Sequence, residues 1–284
     1  MRIAVVTDSA AGFPSEWTGP GGVADGIRVV AMPVLVGHDI LTGEDDDVTA
    51  PLMVALAAGS EVRTSRPSPG QFERVYCGLA EQGYDGIVSV HLSGLLSGTL
   101  EAARWAAPRA GIPVEVIDTR TVGMAQGRAA MAALAAARAH AGLPEAAAAA
   151  AMSARSSALY FYVPSLEQLR RGGRITAAAG WLGTLLSVRV ILSVQGGRLL
   201  PLERMRSAER GLLRLQELVE ADVEGRGGAA LLTVHHFGNE QEAAGLAERL
   251  EAVAGPGRVT TAPCPAVLAA HAGLGVLAVS VSAD

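Results

Sequence analysis

The chain has 284 residues, half of them apolar, and a net charge of −5 at pH 7. All 23 basic residues are arginine, which removes lysine-based phosphate loops, Schiff bases and pyridoxal chemistry from consideration. No basic run is present to track a phosphate backbone, so the composition argues against a nucleic-acid partner.

MRIAVVTDSA places four apolar residues between Arg2 and Thr7, too few for a secretory signal, and a cytoplasmic protein is expected. RIAVVT (2–7) and IRVVAMPVLV (27–36) read as strands. Helices near 49–57 and 69–83, strand 86–92, helix 99–107, strand 114–118 and helix 122–141 follow. Ser68-Pro69-Gly70-Gln71 combines an N-cap, a proline at the first helical position and a glutamine placed to close a capping box. The alanine-rich stretch 128–151 is interrupted by Arg128, Arg138, Pro144 and Glu145. It therefore reads as two helices broken at Gly142-Leu143-Pro144, with no stable membrane insertion.

ALYFYV (158–163) then begins a second half. A short helix follows, with Ser165 and Gln168 spaced as a capping box and Gly172-Gly173 at its end. The apolar passage 181–194 leads to a hairpin turning at Gln195-Gly196-Gly197. Helix 207–222, strand 230–237, helix 239–253 and strand VTTAPC (259–264) complete the pattern. The alternation predicts the α/β class, in two domains covering 1–157 and 158–284.

Four loops share a chemistry. Thr7-Asp8-Ser9, Thr64-Ser65, Ser93 to Thr99 and Asp118-Thr119 each place hydroxyls or a short acid after an apolar run. At the carboxyl ends of a parallel sheet such loops converge on the ligand crevice. Ser97 or Thr99 is equally readable as a helix cap. Ser97 is one residue off the spacing of a hydrolase elbow. Adjacent His235 and His236 point to opposite faces of a strand, so they read as surface or satisfied histidines and not as a metal pair. His271, in AHAGLG, is expected at a glycine-flexed bend, as an anion donor or a turn residue. Arg170, Arg171 and Arg174 read either as an anion signal or as a solvated helix end. Asp45-Asp46-Asp47 lacks calcium-loop spacing and reads as a polar loop. Asp8 and Asp118 are read as acids tying down backbone amides. Cys77 and Cys264 are read as free thiols in or near the core.

Taken together, VVTDSAAGFP, TSRPSPGQF (64–72), HLSGLLSGTLEAA (91–103), VIDTRTVGMAQG (116–127), SLEQLRRGGRI (165–175) and AHAGLG (270–275) resemble the DegV family of bacterial fatty-acid-binding proteins. The resemblance implies two α/β domains with one long-chain fatty acid between them, its carboxylate in the cleft and its tail in an apolar tunnel. It implies a carrier without catalytic residues, metal or other cofactor: the binding subunit of a fatty acid kinase. A separate kinase subunit would make the acyl phosphate for phospholipid synthesis.

Carried over by motif, Thr64 and Ser97 resemble the carboxylate-holding hydroxyls and His271 the third polar contact. Arg174 resembles a residue organising the cleft, and Arg206 one serving the phosphorylated product or the kinase. Ser65 and Gly98 belong to the same cleft or partner surface. HAGLG stands where the family usually has HTGPG, Ser207 follows Arg206 in place of glycine, and Arg66 stands where glutamine is common. Trp181, Leu182, Leu185, Leu186, Val188 and Ile191 are expected to offer tunnel wall or ordinary core. The alternatives are a serine-dependent hydrolase using Ser97 with His271 as base, and a lipid sensor without a kinase partner.

Overall fold

The computed structural model describes residues 1–42, 48–175 and 188–283. The first half runs β1 (Ile3–Asp8), α1 (Ser15–Thr18), β2 (Ile27–Val30), β3 (Val34–Val36), β4 (Asp39–Leu41), α2 (Thr49–Ala57), β5 (Val62–Thr64), α3 (Pro69–Glu81), β6 (Gly86–His91), α4 (Thr99–Ala106), β7 (Val114–Asp118), α5 (Met124–Arg138) and α6 (Leu143–Ser156). The second runs β8 (Ala158–Val163), α7 (Glu167–Arg171), β9 (Arg189–Gln195), β10 (Arg198–Met205), α8 (Ala208–Gly225), β11 (Ala230–His236), α9 (Glu240–Ala254), β12 (Val259–Pro263), α10 (Ala266–Ala272) and β13 (Leu277–Ala283).

Strands β2-β1-β6-β7 form a parallel sheet, with Val5 opposite Val88 and Val90 opposite Ile117. Both of its faces are covered, as parallel sheets require. Val5, Val88 and Val90 pack under the alanines of α5 and α6, whose small side chains let those helices lie close. Val6 and Ile87 face Phe72, Tyr76 and Leu79 of α3 and the alanines of α4. The alanine-rich stretch is two helices, as expected, and the second starts with Gly142 as N-cap and Pro144 in its first turn. Ser68 Oγ accepts from Gln71 N at 3.2 Å while Gln71 Oε1 accepts from Ser68 N at 2.7 Å, the capping box read from sequence.

The second sheet has order β10-β9-β8-β13-β11-β12, antiparallel except for β11 with β12. Its period-2 alternation sorts residues between two cores. Tyr162, Ile191, Val234 and Val279 pack under α8 and α9, while Phe161, Val163, Val190 and Leu192 join Leu92 and Val122 from the first half. Ile191 is therefore core beneath α8 and not tunnel wall; Val188 packs on the opposite cluster. Trp181, Leu182, Leu185, Leu186 and the Asp45 to Asp47 run lie outside the described residues. The β9–β10 hairpin turns at Gly196 and Gly197, both with positive φ (57° and 87°), a conformation glycine adopts without steric cost.

Three local readings are corrected. Residues 27–36 are two strands, because Pro33 cannot donate to a ladder and Met32-Pro33 breaks the run; β2 joins the parallel sheet and β3 a separate antiparallel sheet, β4-β3-β5. Thr64 thus ends a strand of that small sheet and does not lie at the parallel sheet's edge. Ser165 Oγ accepts from Glu167 N at 3.1 Å, and Leu166 is the N-cap, so no capping box with Gln168 forms there.

Candidate functional site

The loop after β6 is built by its own polar atoms. Leu96 N and Ser97 N both donate to Ser93 O at 3.0 and 3.1 Å, and Gly94 N donates to Asp118 Oδ1 at 3.3 Å. Asp118 Oδ1 also accepts from Arg120 N at 2.9 Å, so this acid ties down amides, as does Asp8 with Ala10 N at 3.1 Å. Ser93 Oγ donates to Gly197 O at 2.7 Å, which docks the hairpin tip of the second sheet onto the first half. A Cβ at Gly197 would sit 2.7 Å from that hydroxyl, so the contact needs glycine.

Leu92, Leu96, Val122 and Gly123 from the first half face Phe161, Leu169, Leu199, Val267 and Leu268 from the second across a largely apolar cavity. Its non-atom space comes to about 790 Å3 when the open solvent at its mouth is included. Thr64, Ser97, Arg174 and His271 share its wall. Thr64, Arg174 and His271 also line a more open polar hollow with Arg63, Arg171 and Gly172, so they stand where the apolar cavity meets polar surface.

Thr64 Oγ1 and His271 Nε2 are 2.8 Å apart. His271 lies in the last turn of α10, two residues before the bend, which falls at Gly273 (φ 86°). A Cβ at Gly172 would collide with its imidazole, so the first glycine of RRGGR makes room for this histidine beyond ending α7. Burial pushes the His271 pKa down to about 4, and the Arg174 guanidinium adds to the shift. Arg174 donates to Leu96 O at 3.2 Å and to Gly172 O, linking the Ser97 loop to α7. Ser97 Oγ is 2.9 Å from Thr99 Oγ1 and accepts from Thr99 N at 3.3 Å. Gly98 is the N-cap of α4 and contributes no side chain.

The other motif residues fall elsewhere. Ser65 is exposed, with its hydroxyl on Arg66 O at 3.3 Å, and Gly98 O accepts from Arg66 at 3.4 Å. Arg206 is exposed in the bend between β10 and α8. None of the three lines the cavity.

One lining residue was not picked out from sequence as part of the site. His235 is buried, and its Nε2 accepts from Met124 N at 3.1 Å, capping α5 from the opposite half of the molecule. Burial holds its pKa down at about 4. The available signal was ALLTVHHF, too apolar around His235 for a one-sided strand. Cys264, also in the wall, is a free thiol pushed up to about 12 by burial; Cys77 is free and partly exposed. Among the described residues no group of three or more His, Cys, Asp or Glu could hold a metal, and no helix is long and apolar enough to cross a membrane.

Known proteins agree with this architecture. A family model described as an uncharacterised protein of the DegV family matches residues 2–284. A DegV domain-containing protein of Streptomyces coelicolor is 41% identical over 283 residues, covering 99% of this chain and 98% of its own. A DegV family protein from Thermus thermophilus, whose structure is described as fatty acid binding, superposes with a TM-score of 0.88 at 30% identity, covering all of both chains. DegV of Bacillus subtilis, described as a fatty acid binding protein, superposes with a TM-score of 0.88 at 27% identity and the same coverage. On sequence and fold over its whole length, this chain belongs to the DegV family.

Proposed function

We propose that this protein is a non-enzymatic carrier that binds one long-chain fatty acid. The observation that carries the reading is one apolar cavity whose wall ends in Thr64, Ser97, Arg174 and His271. Two hydroxyls, a guanidinium and an imidazole suit a carboxylate, since hydrogen bonds to an ionised acceptor are the strong ones. A tail lying against Leu92, Phe161, Val267 and their neighbours gains about 0.8 kcal/mol per buried methylene before the costs of association. The Thermus and Bacillus relatives are described as binding fatty acids, which supports the same ligand here.

In this reading Thr64, Ser97 and His271 hold the carboxylate and Arg174 braces the cleft between domains 1–157 and 158–284. Arg206, exposed and off the cavity, serves a separate kinase subunit that converts the bound acid to an acyl phosphate for phospholipid synthesis. Ser65 and Gly98, beside Arg66, belong to that outward surface. A hydrolase reading has less support, because the Ser97 hydroxyl bonds within its own loop while His271 bonds Thr64. Organic extraction of the purified protein followed by mass spectrometry tests the carrier reading. Near-equimolar fatty acid is the expected result; an empty protein that also refuses added fatty acids would overturn it.

A further inference from the structure

The binding reading leaves unused a dry run of polar side chains beneath the cavity. Tyr76 Oη lies 2.7 Å from Ser89 Oγ, Ser89 Oγ 2.7 Å from His91 Nε2, and His91 Nδ1 2.8 Å from Asp8 Oδ2. All four side chains are fully excluded from solvent. Phe72 and the imidazole pack edge to face at 5.0 Å between ring centres. With no surface and no place in the cavity wall, these groups cannot touch a ligand. Their effect has to pass through what Asp8 holds.

Asp8 gathers three further donors, each tied to the cavity wall. Leu92 N donates to Oδ2 at 3.2 Å, and Leu92 both lines the cavity and opens the loop to Ser97. Ala10 N donates to Oδ1 at 3.1 Å, while Ala10 O accepts from Gly123 N at 2.8 Å beside Val122; both of these residues line the cavity. Gln126 Nε2 donates to Oδ1 at 3.0 Å and to Thr7 Oγ1 at 3.0 Å, fastening the first turn of α5 behind Gly123. One carboxylate therefore holds the backbone of Leu92 directly and reaches Gly123 and the first turn of α5 through Ala10 and Gln126.

We propose that Asp8, braced by His91 and Gln126, is a positioning residue for tail selectivity: it sets the separation of the Leu92 and Gly123 walls and so the bore of the acyl tunnel. The inference rests on the fatty-acid reading. A close-packed wall with fixed spacing separates a straight tail from a kinked one, whereas a wall free to shift accommodates both.

The test is equilibrium binding of stearic and oleic acids, which have equal length and differ by a cis double bond, to the full chain and its variants. Asp8→Asn keeps the shape but turns one acceptor into a donor facing existing donors. Gln126→Leu cuts the two ties from α5, to Asp8 and to Thr7, leaves the other donors on Asp8 in place, and serves if the first variant fails to fold. Leu246→Ala, on the buried face of α9 and absent from the cavity wall, controls for lost stability. The ratio of the two affinities should move toward one by about fivefold in either wall variant, the size of one lost hydrogen-bond restraint, and stay at the wild-type value in the control. An unchanged ratio in folded Asp8→Asn or Gln126→Leu, an equal change in the control, or a wild-type protein that binds both acids equally would overturn this inference alone. A wild-type protein that binds neither acid would overturn the fatty-acid reading and this inference with it.

Discussion

His91 and His271 each hydrogen-bond a hydroxyl, yet they sit in opposite kinds of surroundings. His91 is sealed, with Ser89 on one ring nitrogen and Asp8 on the other. His271 is partly exposed and bonds Thr64 through Nε2 beside a cavity and an open polar hollow. The same side chain is frame in one place and site in the other. What separates them is spare hydrogen-bonding capacity next to empty space, and residue type carries no information about that.

Breaking the frame should have the largest effect. Asp8→Ala leaves His91, Leu92 N, Ala10 N and Gln126 with buried donors lacking their acceptor, and should cost about 3–5 kcal/mol in urea unfolding. Acidification probes the histidines on the cavity side. His271 and His235 both have folded pKa values near 4, below the ordinary 6.5. The unfolded chain therefore binds protons first as pH falls. Stability present above pH 6.5 is lost progressively down to about pH 4, on the order of 3 kcal/mol per histidine. His271→Gln should remove about half of that slope in denaturant titrations at stepped pH.

The site itself should break without the fold. Thr64→Ala with Ser97→Ala should change stability by less than about 1 kcal/mol, as expected for partly exposed hydroxyls, yet strip retained fatty acid from the purified protein. Full retention in the double variant would remove both residues from the site. The smallest effect on binding is expected for Arg206→Ala: unchanged lipid content with slower phosphorylation by the kinase subunit proposed above, and wild-type turnover would detach Arg206 from that proposed role.

The sequence made the frame easier to read than the cavity. Ser68-Pro69-Gly70-Gln71 gave its capping box and Gly196-Gly197 its hairpin, because both are local chemistry. The break at Met32-Pro33 was equally local and was passed over in favour of a continuous apolar run. Thr64, Ser97, Arg174 and His271 were each picked out by local chemistry and given roles by motif resemblance, and their convergence depends on β5, the loop after β6, the end of α7 and α10. His235 was missed because its partner, Met124 N, lies far away in sequence, and no strand periodicity reports a cap supplied from the other half of the molecule.

The position of β13 carries a kinetic consequence. It separates β8 from β11 in the second sheet, although both precede it in the chain. During synthesis the parallel sheet can close once β7 has emerged, whereas β8 and β11 wait for residues 277–283 before either gains its shared neighbour. Val276 and Ala278, which belong to the cavity wall, arrive with that strand. The compartment is thus sealed in the same step that completes the second sheet, and a nascent chain has no finished chamber to fill before then.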